Sequence, residues 1–212
     1  MKNIENLLNE NSIYYKDLEY YFEIIKSTRV HLNDNPDMSI ESCKALIEGI
    51  SKYILSTLDN AYDDKTISAK EFREVTNLAL KKISEYNEKI DDRNFISQTL
   101  KFVKTLGEIR NARGDISHGK VSPKVESSSP QLSKFVFDMT KAILTYVLEI
   151  YFEILQDLHM EEIRYEDNPL FNNWIDEEHT MDGKLLYSKA LFEQDNISYC
   201  DQLESFLEEI EE

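Results

Sequence analysis

The chain is poor in glycine, proline and cysteine and has no long apolar run, and each shortage excludes a class of protein. Five glycines and four prolines among 212 residues are too few for the tight turns of a β-sandwich or barrel. Cys43 and Cys200 have no partner at ligand spacing, so they build neither a disulfide framework nor a zinc site, and a reducing cytoplasm is the expected setting. No stretch of about 18 apolar residues is present. The opening Met1-Lys2-Asn3-Ile4-Glu5-Asn6 lacks the apolar segment of a secretory signal, so no membrane association is expected. Basic charge is also short: 24 Lys/Arg stand against 41 Asp/Glu, a net charge of −17. A broad basic surface for nucleic acid is excluded, and any such contact must be local.

The deficit is unevenly placed. Residues 151–212 hold 18 Asp/Glu against 3 Lys/Arg, which is −15, whereas residues 1–150 carry only −2. The body is near neutral and the C-terminal stretch is strongly acidic.

Leu, Ile, Glu and Lys are abundant and favour helices. An apolar stripe at helical period runs through residues 13–32. Asn33-Asp34-Asn35-Pro36-Asp37 has turn chemistry, with Ser39 as the N-cap candidate of the next helix. That helix places Ile40, Cys43, Leu46, Ile47, Ile50, Ile54 and Leu58 inward. Residues 59–65 read as a connection, and Ser68 as the start of a helix through Tyr86. Asp91 and Asp92 precede another, carrying Phe95, Leu100, Val103 and Leu106. Gly114, Gly119, Pro123 and Ser127-Ser128-Ser129-Pro130 mark a loop, after which a long helix spans 132–158. Tyr165-Glu166-Asp167-Asn168-Pro169 is a turn, 170–175 a short amphipathic piece holding the one Trp, and 201–212 an acidic helix. The expected fold class is all-α, an antiparallel bundle of about five main helices with an acidic appendage. Its segments are an N-terminal helical stretch (1–37), the bundle (38–160) and a tail packed on the bundle or a partner (161–212).

The sequence has no His-Glu-x-x-His, glycine-rich phosphate loop or Gly-x-Ser-x-Gly elbow, so neither metal nor cofactor is expected. His31, His159 and His179 lack a second ligand at metal spacing and read as surface or capping residues. His118 differs. It lies within nine residues of Arg110, Asn111, Arg113, Asp115 and Ser117, at the end of a helix and between glycines. A histidine can take a proton from a ribose 2′-hydroxyl or give one to a leaving oxygen near neutral pH. Arginine offers a planar donor set matched to phosphate and to the charge that develops on it, and Asn111 can orient either group. The same residues can also simply cap the last carbonyls of the helix and pair with one another, with Gly114 just past its end. Local chemistry leaves both readings open.

Two strings in this order resemble a known family. Residues 39–55, with Lys44, Leu46-Ile47-Glu48 and Lys52-Tyr53-Ile54-Leu55 on one helix, are similar to the opening helix of the C-terminal domain of abortive-infection proteins. Arg110-Asn111, then Gly114-Asp115, then His118-Gly119 resemble that family's signature. The family belongs to the HEPN group of helical bundles. The resemblance implies a metal-independent endoribonuclease of phage-defence or toxin systems, with an Arg/His site shared across a homodimer. It implies His118 as general acid/base, Arg110 and Arg113 on the scissile phosphate, and Asn111, Asp115 and Ser117 at the substrate. RNA, and an activating or inhibiting defence-system protein, are the partners implied. Either arginine fits the pattern: Arg110 has the polar neighbour but stands seven intervening residues from His118, while Arg113 stands four away and is followed by Gly114. The rival reading is a non-catalytic dimerisation module on the same scaffold, and the acidic tail adds a weaker third, an antitoxin or nucleic-acid mimic. As a regulatory segment, that tail would compete with RNA phosphates for the arginines.

Overall fold

The computed structural model describes residues 3–12, 16–86, 93–113, 127–179 and 185–211, and of residues 12, 16, 159–162 and 211 the backbone alone. Every regular element among them is helical. In chain order these are α1 (Ile4–Ser12), a 3₁₀ turn (Lys16–Leu18), α2 (Glu19–Asp34), α3 (Pro36–Leu58), α4 (Asp64–Ser68), α5 (Phe72–Tyr86), α6 (Arg93–Arg113) and α7 (Pro130–Glu162). A second 3₁₀ turn (Tyr165–Asp167), α8 (Pro169–Glu178), α9 (Tyr187–Gln194) and α10 (Asn196–Glu211) follow. The all-α expectation holds. The chain forms two compact units, residues 1–154 and 155–212.

Within the first unit α3 is the shared wall. Its apolar residues recur at i, i+3, i+4 and i+7, and they do so on more than one face. Ile40, Cys43, Leu46, Ile47, Ile50, Ile54, Leu55 and Leu58 are all buried, so the helix is covered by neighbours on several sides. α2, α5 and α6 pack on it, and α7 reaches it through the Tyr53–Tyr151 edge contact, ring centroids 6.1 Å apart. The partners are amphipathic in the ordinary way: α5 buries Val75, Ala79, Leu80 and Ile83, and α6 buries Leu100, Val103 and Leu106. α2 lies closest. A Cβ on Gly49 of α3 would come 3.0 Å from Cε1 of Tyr21, so the tyrosine ring lies where a side chain would otherwise stand. On α2 and α5 two buried hydroxyls are satisfied within their own helix, Thr28 Oγ1 donating to the Ile24 carbonyl at 2.7 Å and Thr76 Oγ1 to that of Phe72 at 3.0 Å.

Several boundaries differ from those expected. The loop read at 33–37 shrinks to Asn35, whose side chain accepts from the Met38 N–H at 3.4 Å, with Pro36 as the first helical residue. Ser39 is therefore no cap but a fully buried residue one turn inside α3. Ser68 ends a helix rather than opening one. Asp63 caps α4 by accepting from the Thr66 N–H at 2.8 Å, and α5 begins only at Phe72. Asp91 and Asp92 lie outside the described residues.

The second unit has its own core of Phe171, Ile175, Tyr199, Cys200 and Leu203, with Ile163, Tyr165, Tyr187, Leu191, Phe192 and Phe206 packed against it. Where the sequence showed weak periodicity, three helices form. A polar network threads this core. Tyr199 donates to Asn172 Oδ1, Asn172 Nδ2 to the Tyr165 carbonyl at 2.8 Å, and Asp176 accepts from both the amide (2.7 Å) and hydroxyl (2.8 Å) of Ser188.

Two stability predictions follow from this packing. Gly49→Val should lower unfolding free energy by about 1–3 kcal/mol, since Tyr21 is itself buried and stacked and cannot retreat. Gly107→Ala on α6, where the nearest atom is Phe72 Cδ1 at 3.8 Å, should raise it by roughly 0.5–1 kcal/mol; urea denaturation measures both. Burial also raises the pKa values of Cys43 and Tyr199, each to about 12, and that of Cys200. A raised native value means stability is fully present below the unfolded-state value and is lost as pH climbs from there through the native one. On the alkaline side, the urea midpoint under reducing conditions should thus hold to about pH 8 and fall steadily toward pH 11.

Candidate functional site

The signature residues divide at the end of α6. Arg110, Asn111 and Arg113 occupy its last turn; Asp115, Ser117 and His118 lie outside the described residues. Two cations on a C-terminal turn suit the negative end of the helix dipole. They are also held individually, Arg110 by α3 directly and Arg113 through Ser128, which bonds to α3 in turn.

Arg110 folds back onto Glu41, in the second turn of α3. Its Nε and Nη2 donate to the same Glu41 Oε1 at 3.2 and 3.1 Å, and each side chain is 19% exposed. The remaining nitrogen, Nη1, donates to Asn111 Oδ1 at 3.1 Å. All three guanidinium nitrogens thus have a partner within the chain. Asn111, expected to orient the substrate or His118, here orients Arg110. A half-buried ion pair of this kind is screened less than a surface pair and holds its arginine to one rotamer.

Arg113 points to the other side of the site. Its Nη1 lies 3.5 Å from Ser128 Oγ, and the Ser128 amide donates to Asp37 Oδ1 at 3.1 Å. Asp37, in the first turn of α3, and Ser128 are both buried. Ser129 then caps α7, accepting from the Leu132 N–H at 3.2 Å, with Pro130 as its first residue. The start of α3 therefore grips the last turn of α6 through Glu41 and the residues leading into α7 through Asp37. The described residues on either side of 114–126 are thus both held at the start of α3.

Glu41 and Asp37 were not among the expected site residues. Their only sequence signal is that they are acidic and four apart near the start of one helix; their partners lie 69 and 91 positions away. His31 lies in the last turn of α2, and the His179 ring stacks near Tyr187 at 4.6 Å between centroids. Among the described residues no group of His, Cys, Asp and Glu is arranged to hold a metal ion, and no helix is long and apolar enough to cross a membrane.

A family model described as Abi_C, HEPN-like domain, matches residues 19–151. The match begins at the first residue of α2, takes in α3 to α6 and ends within α7, well over half of the chain. No curated protein and no solved structure matches.

The Glu41–Arg110 pair should show in a double-mutant cycle. Glu41→Gln and Arg110→Gln, alone and together, are expected to give a coupling of about 1–2 kcal/mol. The exposed Lys134–Asp138 pair, 3.0 Å apart on α7, should couple by less than about 0.5 kcal/mol.

Proposed function

The chain belongs to the Abi_C family of HEPN-like domains, and from that premise we propose that it is a metal-independent endoribonuclease of a phage-defence or toxin system, acting at a site shared by two copies. The family supports a defence-related role. The observation that carries the catalytic reading is the fixed pair of arginines, Arg110 and Arg113, at the point from which the His118 segment departs.

In the proposed reaction the nucleophile belongs to the substrate. His118 of one copy takes the proton of a ribose 2′-hydroxyl as its oxygen attacks the adjacent phosphorus. The bond to the 5′-oxygen breaks, and the second copy's His118, in its protonated form, gives that oxygen a proton. The products are a 2′,3′-cyclic phosphate and a free 5′-hydroxyl, and water can open the ring to a 3′-phosphate. Arg113 holds the phosphate and offsets the charge that grows on its oxygens. Arg110, pinned by Glu41 and Asn111, sets the end of α6. Asp115 and Ser117 complete the substrate contacts.

A second reading, a non-catalytic interaction module, draws on the saturation of Arg110 by its own chain and on the overall charge of −17. Incubation of purified protein with total cellular RNA in EDTA separates the two. The nuclease gives fragments ending in cyclic or 3′-phosphate, His118→Ala abolishes them, and Arg113→Ala slows cleavage by about 10²–10³-fold. Intact RNA after incubation with well-folded wild-type dimer sinks the catalytic reading and leaves the module.

A further inference from the structure

Residues 155–212 cover their core but leave an apolar row outside it. On α8, Leu170 and Trp174 stand one turn apart and are 73% and 40% exposed. They flank the buried Phe171 and Ile175. On α10 the inward stripe Tyr199, Leu203, Phe206 continues one more turn to Ile210, which is 57% exposed. The two rows meet where the Trp174 and Phe206 rings stack, centroids 5.1 Å apart. The result is one continuous apolar strip, Leu170–Trp174–Phe206–Ile210, with exposed Leu207 beside it. An apolar strip of this length on a surface marks a place where another molecule binds.

The surroundings of the strip decide what that molecule is. Neither α8 nor α10 contains a Lys or Arg. Asp176, Glu177 and Glu178 follow Trp174 within one turn, and Asp201, Glu204, Glu208, Glu209 and Glu211 line α10. A second copy would set one strongly acidic segment against another. RNA and anionic lipid would be repelled for the same reason. The complement of an apolar row with an acidic rim is a helix that is apolar on one face and basic at its edges.

We propose that this α8–α10 face is a docking surface for a basic amphipathic helix of another protein. It is a binding function separate from the arginine site and requires no RNA cleavage. Lone acidic residues would not suffice for it; exposed Trp174, backed by the part-buried Phe206 ring, supplies the apolar anchor and the carboxylates select the partner's charge. Aromatic anchors in such a setting carry much of a partner's affinity.

Trp174 is the only tryptophan of the chain, so its emission reports on this face alone. The full chain is titrated with a synthetic Leu/Lys amphipathic helix and, separately, with a Leu/Glu helix of identical apolar pattern. The Leu/Lys helix should shift Trp174 emission to the blue, with affinity falling as salt rises, and the Leu/Glu helix should leave it unchanged. The double variant Leu170→Ser, Ile210→Ser alters exposed positions only; with far-UV dichroism and melting temperature retained, it should bind at least about tenfold more weakly, a loss of about 1.4 kcal/mol. The proposal is overturned by an unshifted emission, by equal binding of the acidic helix, or by a double variant that binds as well as the parent. Concentration-dependent self-association lost in the double variant would assign the face to a second copy and overturn it too. Emission typical of a buried indole in the free chain, unmoved by peptide, would mean that the chain covers the face itself.

Discussion

Everything in the first unit leans on α3 being buried from several sides. A helix in that position cannot be tuned to one neighbour: each apolar side chain it carries is shared, and each close approach limits what the next helix can present. The Gly49–Tyr21 contact is the clearest case, because α2 approaches only as far as the missing side chain allows. Cooperative packing of this kind converts small changes on α3 into changes felt by α2, α5, α6 and α7 together.

The same constraint reaches the site. Two polar groups of α3, Asp37 and Glu41, sit at its N-terminal end. There they hold Ser128 and Arg110. The position of the arginines is thus a by-product of the core: α6 is set against α3 by Leu100, Val103 and Leu106, and its last turn arrives beside Glu41 because the helices are already packed. A guanidinium held in this way loses little further entropy on meeting a phosphate, though the carboxylate that holds it also offsets part of its charge. At Arg110, held by Glu41, the two effects pull in opposite directions.

How much of this was legible in the sequence depends on the range of the interaction. Helical period exposed α3, α5, α6 and α7, because burial on one or more faces is written into spacing along the chain. Ser39 misled because it is a good cap by type, yet Asn35-Pro36 just before it forms a stronger start, and the buried interior of α3 accepts a serine. α8 to α10 were harder to read because short helices bury few turns each, and their aromatics, spread over residues 165–206, meet only in three dimensions. At the site, the two arginines on a helix end could be read from the string itself. Glu41 and Asp37 could not, because no local pattern tells a chain which of its many carboxylates will face an arginine about 70 positions away.

The uneven charge now has a structural counterpart. In residues 1–154 acidic and basic groups are mixed and the surface pairs are mostly i, i+3 or i, i+4, as with Lys44–Glu48 and Lys134–Asp138. α8 and α10 carry carboxylates and no Lys or Arg of their own, so the aromatic core and its polar network work against that repulsion. A fold that accepts this cost around an exposed tryptophan differs from one that merely keeps itself soluble, for which a mixed surface without an apolar row would serve better. The two units thus present different chemistries: a near-neutral helical body with arginines fixed at one end, and an acidic unit whose apolar strip favours a basic surface. The second arrangement repels nucleic acid and the first does not, so the charge division separates what each unit can bind.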